Sequence, residues 1–215
     1  LFERGSVMKL VHLRRILSRL RFPESFDECI ITKPNRLILD PMVRLKCQNC
    51  GLWSRAILCP PYLFKTYSQF KTLKSTKEWI CNYSYAVLFI FKNNGTKAWK
   101  INCSELSHVE FKKKRGMELK GTEAGQVREI TKLMRRYRIK FRKRDVKVFG
   151  FLPGHCDFCE GKHCPNRDNP PCKRSGMPSL ESIGINVFEV LENHNVKYEY
   201  PVDSYLTSIT AFLVK

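Results

Sequence analysis

Seven of the ten cysteines fall into two tight groups, and this spacing constrains the fold more than any other feature of the 215-residue chain. The first group is Cys47, Cys50 and Cys59, within "RLKCQNCGLWSRAILCPPYLF". The second is Cys156, Cys159, Cys164 and Cys172, within "CDFCEGKHCPNRDNPPC". Two-residue gaps in a chain without a recognisable secretory signal favour metal ligation over disulfides, and so a reducing cytoplasm. The first apolar stretch, "MKLVHLRRILSRL", is interrupted by arginines and lacks a cleavage-type tail. Residues 1–7, "LFERGSV", read as an appended leader and are left out of fold reasoning.

Four thiolates in the second group suffice to close around one metal centre. The segment is rich in Gly, Pro, Asn and Asp and has little apolar content of its own, so metal binding would supply its folding energy. A disulfide-linked or free-thiol segment is the plainer alternative. Zinc takes four cysteines tetrahedrally, and an iron–sulfur cluster takes the same ligands on a wider frame. The uneven spacing and the Cys-Pro pairs at Cys59 and Cys164 favour iron–sulfur, as one or two 4Fe–4S clusters, with zinc as the alternative. His155 and His163 flank the cysteines as substitute ligands or outer-shell donors.

The first group stops at three thiols. A fourth ligand from Cys29, Cys81, Cys103 or another chain would complete it. A vacancy would leave one iron open to a substrate, and pooling would join the two groups in one larger centre. In the blandest case only Cys47 and Cys50 matter and Cys59 packs in the core.

The 43% hydrophobic content is that of an ordinary globular protein. No run approaches the roughly 18 apolar residues of a membrane span, and "YAVLFIF" (85–91) reads as a buried strand in mid-sheet. Apolar spacing predicts helices over 8–20, 63–73 and from about Thr122, where Val127, Ile130, Met134, Tyr137 and Phe141 form one stripe. It also predicts a helix over 178–196, broken near Gly184-Ile185, with Ser179 as a cap. Strands are expected in "ECIITK", "RLILD", "DVKVFGFL" (145–152), "VKYEYP" and "LTSITAFLVK". The pattern implies an α/β or α+β fold. Residues 8–215 would form one domain: a small mixed sheet, flanking helices, and metal-binding loops at 47–61 and 156–172.

Net charge is +19, and residues 112–147 hold fifteen Lys or Arg against four acids. Lys112, Lys113, Lys114 and Arg115 form a run. Helical placement turns Arg128, Lys132, Arg135, Arg136 and Arg138 away from the apolar stripe. Such a surface suits RNA or an acidic protein partner; a merely solvated face is the plainer alternative. No phosphate-binding glycine loop is present, and Ser179, Glu181 and His194 form no triad.

"CQNCGLWSRAILCPPYLF" and "GHCDFCEGKHCPNRDNPPCKRSGMPSLESIGINVFEVLENHNV" together resemble a prokaryotic family of predicted metal-binding proteins, widespread in anaerobic bacteria and methanogenic archaea. The matching positions are Cys47, Cys50, Cys59, Pro60 and Pro61, then Cys156, Cys159, Cys164 and Cys172. Leu180 and Asn186 stand where the family usually has Met and Asp. The resemblance implies metal binding and an iron–sulfur centre, but supplies no reaction. Three functions follow as expectations. One is an iron–sulfur protein for electron transfer or metallocentre maturation within a larger complex. Another is a zinc-stabilised RNA- or ribosome-binding module. The third is an enzyme with an open iron.

Overall fold

The computed structural model describes residues 10–19, 27–49, 58–93, 127–154, 176–199 and 206–215. Four strands form one sheet in the order β1-β2-β4-β3: β1 (Glu28–Thr32), β2 (Tyr85–Asn93), β3 (Val148–Phe151) and β4 (Leu206–Val214). Every strand pairing is antiparallel. Among the described residues, the mixed character expected from the sequence is found in a parallel bridge, Leu152 to Ser179, beyond the end of β3. The class is α+β.

The apolar run of β2 has a simple cause. It lies mid-sheet, and helices cover both of its faces, so neither set of alternating side chains meets water. Ala86, Leu88 and Ile90 enter one core, while Val87, Phe89 and Phe91 enter the other. Helices α1 (Leu10–Arg19) and α5 (described over 127–142) cover the second core. Leu13, Ile16 and Leu17 of α1 pack there with Ile130, Met134, Tyr137 and Phe141 of α5. The stripe read from the sequence is therefore buried as expected, and the Tyr137 ring stacks on Phe89 at 6.0 Å.

The other face carries α2 (Pro41–Gln48), α3 (Tyr62–Thr66), α4 (Leu73–Cys81) and α6 (Val187–Glu192), with 3-10 turns at Pro34–Arg36, Ser68–Phe70 and Glu181–Ile183. Residues 63–73 are not one helix. Tyr67 leaves helical geometry at φ −135°, ψ 84°. Thr72 then restarts the chain as the cap of α4, accepting from the Ser75 N–H at 3.0 Å while the Ser75 hydroxyl takes the Thr72 N–H. Leu63 and Phe70 remain buried on the same side despite the break.

"RLILD" is not a strand either. It makes one bridge, Leu39 to Ile185, flanked by Asp40 N–H to the Gly184 carbonyl and Asn186 N–H to the Ile38 carbonyl. The described part of "VKYEYP" (196–199) has no strand; the Tyr198 hydroxyl instead reaches back to Glu192 at 2.6 Å. No described helix is long and apolar enough to cross a membrane.

Candidate metal centre

Cys47 lies in the last turn of helix α2, not in a loop as the sequence suggested. Asp40 starts this helix by accepting from the Met42 N–H at 2.8 Å, with Pro41 in the first turn, where its missing N–H costs nothing. The other oxygen of Asp40 accepts from the Asn186 side chain at 3.2 Å, and Asn186 in turn caps α6. The two helix starts are thereby fixed to one another. At the far end of α2, the Cys47 thiol faces the Glu181 carbonyl oxygen with 3.7 Å between sulfur and oxygen.

Arg44, one turn before Cys47, holds this arrangement together. Its guanidinium donates to the carbonyls of Lys71 (2.9 Å), Phe70 (2.7 Å) and Ile183 (3.3 Å), and to the Thr76 hydroxyl (3.2 Å). It also lies over the Phe64 ring, 5.5 Å from the centroid. One side chain thus ties α2 to α3, to the start of α4 and to the 3-10 turn at 181–183. Its Nε–H is buried without a hydrogen-bond partner. Burial pushes the Arg44 pKa below its ordinary value, and the charge of a Cys47 thiolate pushes it back up. No local periodicity marks Arg44 for this role. The only sequence signal is an arginine three positions before a cysteine of the motif.

Cys59 sits in the turn that opens α3, just before the cis Pro60–Pro61 bond. Its carbonyl accepts from the Leu63 N–H at 2.9 Å. Leu58 and Leu63, on either side, are buried in the same core as Ile183 and Ile185. The turn is therefore anchored to the layer that carries Cys47. Cys47 and Cys59 are thiols, each partly exposed.

Cys50 and the whole second group, Cys156, Cys159, Cys164 and Cys172, lie outside the described residues, as do Cys103, His155 and His163. The residues flanking the second group are described. The Leu152 N–H donates to the Pro178 carbonyl at 2.9 Å, so the chain before and after 155–175 is joined. The Gly176 carbonyl accepts from the Tyr67 hydroxyl at 2.9 Å, at the end of α3. Five residues later the chain reaches Glu181 and the Cys47 thiol.

Two of the proposed fourth ligands, Cys29 and Cys81, form no group of three with Cys47 and Cys59. Cys29 pairs with Phe89 across β1 and β2, and so faces the α5 side of the sheet. Cys81 ends α4, five residues beyond Thr76, where Arg44 touches that helix. Among the described residues, no group of three or more His, Cys, Asp or Glu side chains is close enough to hold a metal ion. Ser179 and His194 serve helix ends: Ser179 Oγ accepts from the Ser182 N–H, and His194 Nδ1 bonds the Val190 carbonyl.

The predicted basic residues divide by position. Arg128, Lys132 and Arg136 are exposed on α5, Arg135 and Arg138 are half-buried there, and Lys112, Lys113, Lys114 and Arg115 lie outside the described residues.

No curated protein and no solved structure matches the chain. A family model does, over residues 30–214, a span that contains both cysteine groups and every element from β1 onward except its first two residues. The chain belongs to the family described as Predicted metal-binding protein (DUF2284).

Proposed function

We propose that this metal-binding chain carries one or two iron–sulfur clusters of the 4Fe–4S type, and serves electron transfer or metallocentre maturation within a larger assembly. The carrying observation is convergence. The helix with Cys47, the turn with Cys59 and the chain returning from the second cysteine group at Gly176 all meet on one face of the sheet. Cys47, Cys50 and Cys59 would hold one cluster or a share of it, and Cys156, Cys159, Cys164 and Cys172 another. Thiol donors suit iron–sulfur clusters and zinc alike.

A bound cluster supplies one-electron chemistry. The chain's own residues do the positioning. Arg44 fixes the end of α2 against three other segments, places a cation beside a metal-binding thiol, and keeps one buried N–H unspent. Donors of this kind near a cluster sulfur tune its potential.

The test is anaerobic purification followed by iron, acid-labile sulfide and zinc analysis. Iron and sulfide in comparable amounts, with visible absorbance bleached by dithionite, support the reading. Zinc without sulfide overturns it and favours the zinc-stabilised RNA-binding module.

A second reading, an enzyme with an open iron at the three-cysteine site, gains from one observation. Cys29 faces the opposite side of the sheet and Cys81 lies at the end of α4, which supports a site that neither of them closes. A site made closed by Cys103 would remove this support, and a Cys103→Ser variant that retains its cluster would keep it.

A further inference from the structure

Among the described residues, charge is divided between the two faces of the sheet. The described residues of the α1–α5 layer, 10–19 and 127–147, carry thirteen Lys or Arg against two acids, Glu129 and Asp145. The described residues of the opposite layer, 34–49, 58–83 and 176–199, carry eight against six. A basic bias spread evenly through the chain would not separate in this way.

On α5 the exposed cations form a ridge. Arg128, Lys132, Arg136 and Lys140 recur every fourth residue and are all exposed, which spans roughly 18 Å at the helical rise. Arg142 at the end of the helix, and Lys143 and Lys147 beyond it, continue the ridge, and all three are exposed. Arg14 and Arg15 are exposed on α1, in the same layer. One exposed acid intervenes on the helix: Glu129, which pairs with Lys132 at 3.0 Å. A solvent-exposed pair of this kind is weak and readily exchanged.

Two further observations identify the partner. The aromatic residues of α5, Tyr137 and Phe141, are 2% and 0% exposed, so they offer no stacking platform for unpaired bases. An acidic protein groove would need apolar anchors at its centre. Among the described residues of α1 and α5, the exposed large apolar side chains are two, Val11 and Ile139, against at least nine exposed cations in the layer.

We propose that the outer face of the α1–α5 layer binds double-helical nucleic acid through its phosphate backbone. The contacts are cation to phosphate, without base stacking. This surface lies on the opposite side of the sheet from Cys47 and Cys59, so the inference does not depend on which metal the chain holds.

The test uses the full chain and fluorescence anisotropy with a 20-base-pair RNA duplex, the matching DNA duplex, single-stranded RNA and poly-glutamate. Contacts to about five phosphates would weaken duplex binding roughly 500-fold between 50 and 200 mM salt. The triple variant Arg128→Gln, Arg136→Gln, Lys143→Gln should make the logarithmic salt slope shallower by roughly three. The double variant Lys74→Gln, Lys77→Gln, exposed on the opposite layer, should leave binding unchanged. Thermal melting checks that both variants are folded. Binding of either duplex with this pattern supports the proposal, and the preferred duplex identifies the natural source of the phosphates. Equal losses in both variants overturn it. So does tighter binding of single-stranded RNA or of poly-glutamate, or a wild-type affinity that ignores salt.

Discussion

The Cys47 sulfur lies 3.7 Å from the main-chain oxygen of Glu181, 134 residues further along the chain. That oxygen also accepts from the Gly184 N–H at 2.9 Å, closing the 3-10 turn at 181–183. The first cysteine group thus rests on the chain emerging from the second, against a turn held rigid by its own backbone.

Arg44→Ala should loosen this junction. It removes four hydrogen bonds that join α2 to three other segments and leaves the carbonyls of Phe70, Lys71 and Ile183 without the guanidinium. A loss of about 2–3 kcal/mol is expected in urea unfolding, with lower metal content in the folded protein. Arg44→Lys should recover less than half, because a point charge does not replace a planar fork. A variant within about 0.5 kcal/mol of wild type, a change typical of an unremarkable surface site, would show that the junction does not depend on Arg44.

Two glycine variants separate the site from the fold. Gly184 has φ +94°, and a Cβ there would lie 2.7 Å from Leu73 Cδ2 and 3.1 Å from Arg44 Nε. Gly184→Ala should cost about 1–3 kcal/mol and displace Arg44, lowering metal retention. At Gly150 a Cβ would strike Met177 Sδ and come within 2.9 Å of Phe212, in the core on the α5 side. Gly150→Ala should cost about 1–3 kcal/mol as overpacking, while the folded fraction keeps its metal. Unfolding curves and metal analysis on the same samples distinguish the two.

How much of this was legible in the sequence depended on where each residue's partners lie. The β2 run and the α5 stripe were readable because burial on a regular element writes itself into local spacing. Leu63, Tyr67, Phe70 and Leu73 misled because a 3-10 turn keeps nearly the spacing of an α-helix, so the break at Tyr67 left no gap in the pattern. "VKYEYP" alternates like a strand, yet Tyr198 packs on Phe188 at 5.2 Å instead of joining the sheet. The cysteine groups raise the expectation of metal binding through spacing alone, and the family match supports metal binding without assigning it to particular cysteines. Arg44 raises no expectation of its role, because its hydrogen-bond partners lie 26 to 139 residues away.

Replacing the cysteines one at a time should sort them by their place in the fold. Cys47→Ser and Cys59→Ser should weaken metal binding by more than ~100-fold, exceeding the usual effect of an outer-shell change. Cys29→Ser and Cys81→Ser should retain metal at the wild-type ratio, since the first faces α5 and the second ends α4. Metal per folded chain after desalting is the measurement. Loss of metal from Cys29→Ser would contradict the placement of the site on the α2 side of the sheet.

Cys29 should instead reveal itself at alkaline pH. Burial pushes its thiol up from the ordinary 9.0 to about 11. Burial also pushes Tyr137 up to about 12, with the Cys29 charge as the smaller cause. Between pH 9 and 11 the unfolded chain has lost the Cys29 proton while the folded chain still holds it. The folded state then binds more protons, so stability is full below pH 9 and falls as pH rises through that window. Cys29 lies on an edge strand and is exposed as a residue, although its thiol is turned toward the α5 side, which limits its share to about 1 kcal/mol after screening. Urea midpoints at pH 8 and pH 10.5 should therefore drop less in Cys29→Ala than in wild type. Tyr83, also pushed up to about 12 by burial, titrates alike in both proteins, while Tyr137 loses the smaller, Cys29-derived part of its shift, so the difference reports the thiol together with its coupling to Tyr137. The rate of iodoacetamide alkylation at Cys29, followed by mass spectrometry, should still be climbing at pH 10. A plateau near pH 9 would mean the thiol is as well solvated in the folded protein as in the unfolded chain.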